Sequence, residues 1–505
     1  MQFFTVLFLA ATALAAPGAP VEERQAYVPC SGLYGSAQCC ATDVLGLANL
    51  DCGQPPEAVG SADEFSSVCA AIGQRARCCV LPILDQGVLC NTPAGVDEDS
   101  SAGSDAVLRV LLRPRSVTSR EWKTLRKMAS DDMNLPIIDL DLFLSQPATS
   151  DAVRAECKRA AEALITYGAC ILHDSRVHAS HNDTFLDLLE DYFAQPEEAL
   201  RKDERPELSY QIGVTLDNTE KPKCAVDEPC LDVIRRLAPD QRPLDISGHS
   251  PDPKCRFFWR MGDAPPYESK FPGLNAPNVT PEAAHIKDRW APTMDQWGSA
   301  MKDAVSKLAE MTALGLGLDK DAFSSAGAYG PHLLAPTSSD LTKYGAKDTI
   351  LAGFHTDLNF LTIHGRSRYP GLNIWARNTG ARIPVKIPPG NHLLVQAGKQ
   401  IEYITGGLIK AGYHEVVVNE ATVQVMEKRK QECPDRPLVR ISSTLFWHLN
   451  SDHDLAPIPA LQQKAREVRA DQFNLGRDEG EEMEYPPTKV GAQVQDELKH
   501  IALMT

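Results

Sequence analysis

The stretch "GFHTDLNFLTIHG", residues 353 to 365, is a run of bulky apolar residues into which His355 and Asp357 are set two positions apart. A carboxylate on a half-buried strand is unfavourable unless something compensates its charge. Residues i and i+2 of a strand point to the same face, so the two side chains project together. A bound divalent cation would supply the compensation, and it would call for a third ligand. The best candidate is His414 in "GYHEVVV", 57 residues beyond Asp357 on another short apolar segment.

Two imidazoles and one carboxylate on one side of a metal leave the other side open, the donor set used by non-haem Fe(II) oxygenases. The same donors can hold zinc, but a zinc hydrolase also wants a nearby general base, and the sequence offers none. A further signal lies in "RPLVRISSTLFWHL" (436 to 449), where Arg440 and Ser442 again share a strand face. An arginine inside a β-structure needs an anionic partner, and its planar guanidinium suits a carboxylate ligand bidentately. His364, His392 and His448 also sit on or beside strands, but with the three ligand positions filled they read as hydrogen-bonded structural histidines.

Working outward, the texture from about residue 340 is short apolar strands separated by turn residues: "LAGFHTDLNFLTIHG", "LNIWARN", "ARIPVKIPPGNHLLVQAG", "IEYITGG", "AGYHEVVVN". This spacing favours an antiparallel sandwich or jelly roll. Upstream, "LPIIDLDLFL" (135 to 144) reads as a strand. "DAVRAECKRAAEALITYGACILHD" (151 to 174) reads as a helix that switches to a strand at Gly168.

H-x-D, a distal histidine and R-x-S together resemble the isopenicillin N synthase-like family of Fe(II)/2-oxoglutarate-dependent dioxygenases, over about residues 135 to 450. The resemblance implies Fe(II) ligands His355, Asp357 and His414, and anchors Arg440 and Ser442 for the co-substrate 2-oxoglutarate. It implies that Tyr344, in "LTKYG", also touches the co-substrate. A small organic substrate and dioxygen would then react by hydroxylation, desaturation or ring closure as 2-oxoglutarate is decarboxylated to succinate. This sequence departs from the family at Thr342, where Asn is expected, and at Glu415, where Arg is usual. The interval between His414 and Arg440 is also longer, so "EATVQVMEKRKQECPDRP" looks like an insertion.

The cysteines describe a different module. Eight of the fourteen fall between residues 30 and 90, as C-x8-CC-x11-C-x16-C-x8-CC-x10-C: Cys30, Cys39, Cys40, Cys52, Cys69, Cys78, Cys79 and Cys90. Adjacent cysteines diverge and do not make the usual C-x2-C metal clusters, so these read as disulfide halves stabilising a segment too small to fold on its apolar core. Spacing alone leaves the pairing open. The pattern resembles the class II fungal hydrophobins over residues 28 to 94. That resemblance implies a small β-barrel with a short helix and the pairs Cys30–Cys78, Cys39–Cys69, Cys40–Cys52 and Cys79–Cys90. It also implies self-assembly at interfaces, for which "VLGLANL" (44 to 50) and "VLPILDQGVL" (80 to 89) supply apolar surface. The other six cysteines (157, 170, 224, 230, 255, 433) are scattered, as if the two parts of the chain followed different redox rules.

The expected organisation is multidomain. A signal peptide at 1–16 ("MQFFTVLFLAATALAA") precedes the hydrophobin at 28–94 and a linker at 95–134. An α+β dioxygenase follows, with an N-terminal region at 135–265, a helical connector at 266–335, a double-stranded β-helix (jelly-roll) core at 336–450 and a C-terminal helical segment at 451–505. A formal charge of −16 without a basic stripe excludes a nucleic-acid partner, and no later apolar run is long enough for a membrane span. The sequons at Asn182 and Asn278 matter only if this module enters the secretory lumen. Secretion or cell-wall residence follows from the first module, and a cytoplasmic site if the dioxygenase is a separate protein. Three readings of the whole chain stand: a true fusion, a coating protein with an idle large domain, or two neighbouring genes read as one.

Overall fold

The structure, a computed structural model, describes residues 30, 36–44, 48–55, 59, 61–71, 74–83, 86–91, 135–221, 224, 227–244, 251–468 and 484–500. The expected signal peptide and linker lie outside them. The chain divides into two compact units, Met1–Trp122 and Lys123–Thr505.

In the first unit, strands β1 (Ser36–Val44), β2 (Ala48–Gly53), β3 (Arg75–Ile83) and β4 (Gln86–Asn91) close into a barrel in the order β1-β2-β4-β3, with one helix at Ala62–Ala71. Among the described residues its buried core is Cys39, Phe65, Cys69 and Ala76. So small a core needs reinforcement. Cys39–Cys69 ties β1 to the helix, and Cys30–Cys78 ties the preceding segment to β3. Loops of this size, once closed, restrict the unfolded chain by roughly 4 kcal/mol each. Cys40 is also cross-linked, and the strand register sets it opposite Cys52 and sets Cys79 opposite Cys90. The side chains of Cys52, Cys79 and Cys90, and those of the two apolar runs, lie outside the described residues.

The second unit is built on two sheets. The larger contains β5 (Ile137–Asp139), β6 (Ala169–His173), β7 (Gly213–Thr215), β8 (Cys255–Arg260), β9 (Leu333–Leu334), β10 (Thr337–Asp340), β12 (Leu361–His364), β15 (His392–Ala397), β17 (Val439–Ser442) and β18 (Thr444–Trp447). Their order is β17-β10-β8-β9-β18-β12-β15-β6-β5, with β7 on β8. The smaller sheet runs β11-β16-β13-β14, from Ile350–Thr356, Tyr413–Val417, Leu372–Trp375 and Arg382–Pro384. Ile374 and Ile383 of the small sheet share an apolar cluster with Ile171 and Leu394 of the large one, so the two sheets face each other.

Helices cover the outer face of the large sheet. The 29-residue helix Lys287–Gly315 buries Trp290, Met294, Trp297, Met301 and Leu308 at helical spacing. Helix Asp151–Tyr167 crosses it so closely at Gly315 that an added Cβ would lie 2.1 Å from the Cys157 carbonyl oxygen. That helix ends at Gly168, whose φ of 70° lets the chain turn into β6.

Several local expectations are corrected. The segment 135–144 is not one strand: β5 stops at Asp139, whose carboxylate accepts the Asp141 and Leu142 N–H groups and starts the helix Leu140–Ser145. "IEYITGG" is not a strand either, but part of helix Lys399–Ile404, in which Ile401 and Ile404, three apart, are both buried. The insertion after His414 is mostly the helix Glu420–Glu432, opened by a capping box between Asn419 and Thr422. β11 ends at Thr356, one residue before Asp357.

Candidate active site

β11 and β16 pair antiparallel with His355 directly opposite His414, after irregularities between Ile350 and His355 that shift the register. A bulge of this kind re-aims the side chains beyond it. The two imidazoles lie 4.2 Å apart between ring centroids. Asp357 Oδ1 lies 3.8 Å from His355 Nε2 and 3.7 Å from His414 Nε2. The structure therefore brings all three expected ligands together, with their donor atoms within 4.8 Å of one another.

Local hydrogen bonds orient these donors. His355 Nδ1 faces the Gly353 carbonyl at 2.6 Å, and His414 Nδ1 faces the Gly412 carbonyl at 3.3 Å. A carbonyl can only accept, so both Nδ1 atoms carry the proton and both Nε2 lone pairs face the carboxylate. The Thr362 hydroxyl donates to Asp357 Oδ2 at 2.6 Å. Burial, then the neighbouring His414, pushes His355 down to about 4, so its ring is neutral at ordinary pH. Burial alone would raise Asp357, but the two imidazoles and Thr362 outweigh it and hold the carboxyl below its usual range. Two imidazole nitrogens and one carboxylate oxygen around a common point fit a divalent cation such as Fe(II).

The triad borders a cavity of about 210 Å³. Arg440 and Ser442, on β17, line a second cavity of about 290 Å³, and His364, Leu372 and Ser442 border both, so the two adjoin beside the triad. Arg440 is buried; its Nη1 donates to Ser442 Oγ at 2.8 Å and its Nε to the Pro370 carbonyl at 3.3 Å. Burial pulls this guanidinium down to about 10, with no carboxylate contributing. A buried cation without an anion is unusual in a folded protein and fits the far carboxylate of a dicarboxylic co-substrate.

Tyr344 is the expected site residue that the structure does not bring in. Its hydroxyl donates to Asp217 Oδ2 at 3.0 Å and accepts from Asn218 at 3.3 Å, and it borders neither cavity. Its partners belong to a segment with no sequence motif. Glu415, in place of the usual arginine, is fully buried and accepts hydrogen bonds from Asn373 and the Leu244 N–H. His364 bonds Thr444 and Gln396, and His448 faces Gln400; burial holds both near 3, as neutral rings in the cavity wall. His392 stands apart, 5.0 Å from His173. The sequon at Asn182 is buried, with its amide donating to the Arg366 carbonyl, so it cannot accept a glycan in the folded chain.

Two features escaped sequence reasoning. One is a charged wall of the triad cavity, formed by Glu220, Asp252, Lys254 and Arg256. Its only signal was the alternation of charges in "PDPKCRFFWR" (251 to 260), which places Asp252, Lys254 and Arg256 two apart. The other is a Cys224–Cys230 disulfide in the second unit, against the expectation that the two parts of the chain follow different redox rules. Cys157, Cys170, Cys255 and Cys433 are free thiols.

Comparison with known proteins divides the chain in the same way. Residues 30–93 match the family model for fungal hydrophobin. The chain is 68% identical over 100 residues to class II hydrophobin 5 of Gibberella moniliformis, which covers 19% of this chain and all of that protein. It is 64% identical over 98 residues to class II hydrophobin NC2 of Neurospora crassa, with the same coverage. Over the rest, the fold is similar to a Caulobacter crescentus protein assigned to the 2OG-Fe(II) oxygenase family (TM-score 0.51, 18% identity, 73% of this chain and 99% of that one). It is also similar to a full-length Neurospora crassa protein solved with alpha-KG and thymine (TM-score 0.51, 20% identity, 72% and 96%). At these identities the likeness is one of fold.

Proposed function

The chain belongs through its first module to the class II fungal hydrophobins, and we propose that the remainder is an Fe(II)- and 2-oxoglutarate-dependent oxygenase acting on a small organic molecule. The observation that carries this reading is the convergence of His355 Nε2, His414 Nε2 and Asp357 Oδ1 beside the buried Arg440 guanidinium, which has no acidic partner among the described residues. We read the two facing sheets as the double-stranded β-helix of such enzymes, with the triad between them.

In this reading His355, Asp357 and His414 hold the metal, and Arg440 with Ser442 holds the distal carboxylate of 2-oxoglutarate. Iron held there with that co-substrate would supply dioxygen activation, the four-electron reduction of dioxygen taking two electrons from 2-oxoglutarate as it is decarboxylated to succinate and carbon dioxide and two from the substrate. The chain's part is placement. Gly353 and Gly412 carbonyls fix the imidazole tautomers, Thr362 steers one carboxylate oxygen away so that the other faces the imidazoles, and Arg440 offsets the co-substrate charge in a site shielded from water. The hydrophobin module, its remaining disulfides paired Cys40–Cys52 and Cys79–Cys90, assembles as an amphipathic film and keeps the oxygenase at a wall or surface outside the cell.

The test is oxygen uptake and succinate release by the purified full chain, each requiring both Fe(II) and 2-oxoglutarate. Asp357→Ala is expected to lose bound iron and at least about a hundredfold in turnover. Retention of both would overturn the assignment.

A further inference from the structure

One wall of the triad cavity is a closed set of ion pairs. Lys254 Nζ lies 2.8 Å from Asp252 Oδ2 and 3.1 Å from Glu220 Oε2, and Arg256 Nη2 lies 2.5 Å from Glu220 Oε1. Two cations face two anions, so the wall carries no net charge. It is anchored to the metal site: Asp252 Oδ1 accepts the Gly353 N–H at 3.2 Å, and the Gly353 carbonyl accepts from His355. The Arg256 guanidinium also stacks on the Phe258 ring at 3.9 Å. The rest of the lining is largely apolar, with Leu333, Leu358, Phe446, Val494 and Leu498, and its further charges outside the triad, Lys221 and Glu497, are again one of each sign.

This wall retains hydrogen-bonding capacity without spare charge. An ammonium has three donors and a guanidinium five, more than the ion pairs use. Each carboxylate oxygen has a second lone pair. A simple carboxylate drawn to Lys254 or Arg256 would lie beside Glu220 and Asp252, whose oxygens are within 3.1 Å of those cations, and repulsion would offset part of the attraction. A neutral group that offers an acceptor to the cations and a donor to the anions meets no such conflict.

Resting on the oxygenase reading for the role of this cavity, we propose that it selects small uncharged molecules bearing an amide-type donor–acceptor pair at one end and an apolar body at the other, and that Glu220 is the residue that excludes carboxylic acids while Arg256 donates to the neutral acceptor. A lactam is the simplest member of the class.

The experiment is calorimetric titration of the metal-free full chain with two probes of similar size, caprolactam and cyclohexanecarboxylate. Caprolactam is expected to bind at least about tenfold more tightly, the value of one charge-assisted hydrogen bond gained without repulsion. Glu220→Gln leaves the wall with one excess positive charge and is expected to narrow or reverse that preference by raising carboxylate affinity about tenfold. Arg256→Met, of opposite sign, is expected to weaken both probes and keep carboxylate the weaker. A merely structural Glu220 would weaken both probes equally on substitution, which overturns the proposal. So does a wild-type chain that binds the carboxylate as well as the lactam, whatever the variants do, or one that binds neither below 10 mM as an order-of-magnitude limit. Parallel titration with Mn(II) and 2-oxoglutarate separates the two claims. Uptake of both without probe discrimination removes the selectivity alone, and discrimination without such uptake removes the oxygenase reading.

Discussion

At the scale of single residues, the hydroxyl of Thr362 is the most informative side chain outside the ligands, because it fixes which oxygen of Asp357 faces the imidazoles. Thr362→Val should leave the chain folded and loosen metal binding by about 10- to 100-fold, the usual effect of losing a group that orients a ligand; equilibrium metal titration measures it. The histidines give a pH signature. Burial holds His448 near 3 and His332 well below its ordinary value, and His332 Nδ1 accepts the His448 N–H, which a protonated ring could not do. Both rings titrate near 6.5 when unfolded, so below that pH the unfolded chain binds more protons and stability falls. The expected slope is up to about 1.4 kcal/mol per pH unit for His448 between pH 6.5 and about 3, and His332 adds a slope of the same sign below pH 6.5. Denaturant unfolding at several pH values checks this, and His448→Gln should flatten the slope. The clustering of His355 and Asp357 was legible because strand alternation and charge burial act over a few residues, and His414 was legible as a second histidine on a short apolar strand. Tyr344 was not, because its hydroxyl is captured by Asp217 and Asn218, more than a hundred positions away.

At the scale of elements, the inserted helix Glu420–Glu432 is a brace. Its Arg429, with Arg436 just beyond and Arg368 before β13, converges on Glu190, a carboxylate only 1% exposed on helix Ala179–Phe193. Glu190→Gln leaves three guanidinium groups around a neutral amide and should destabilise the second unit by about 3–5 kcal/mol, the penalty for breaking a buried ion pair from one side. Calorimetric unfolding reads this directly, and an unchanged melting temperature would show the cluster to be solvated. The sequence announced an insertion here but not its partner, since nothing near residue 190 marks that glutamate as buried. The misreading of "IEYITGG" has a simpler origin: Ile401 and Ile404 fit a helical face as well as a strand when only six residues are on view. The strands that carry His355, His414 and Arg440 were legible because each is short, apolar and bounded by turn residues.

At the scale of the whole molecule, the question is whether one polypeptide carries both modules. If it does, peptide mapping of the purified native protein should yield contiguous peptides across residues 91 to 134, and film-forming material should carry iron in proportion to protein. Separate recovery of the two halves from cells that have not cleaved the chain would mean two gene products. The division into Met1–Trp122 and Lys123–Thr505 is compatible with either outcome, because each unit has its own core.

The Cys224–Cys230 bridge bears on the same question from inside the second unit. It closes a short loop onto the helix Glu228–Arg236, where Cys230, Val233 and Leu237 pack with Phe354, the neighbour of His355. A thiol pair leaves a durable chemical trace of where a polypeptide has been: cytosolic reductants keep such sulfurs apart, whereas the exocytic route joins them. Alkylation mass spectrometry on native material would read that itinerary at these two positions, from the second unit alone and without reference to the first.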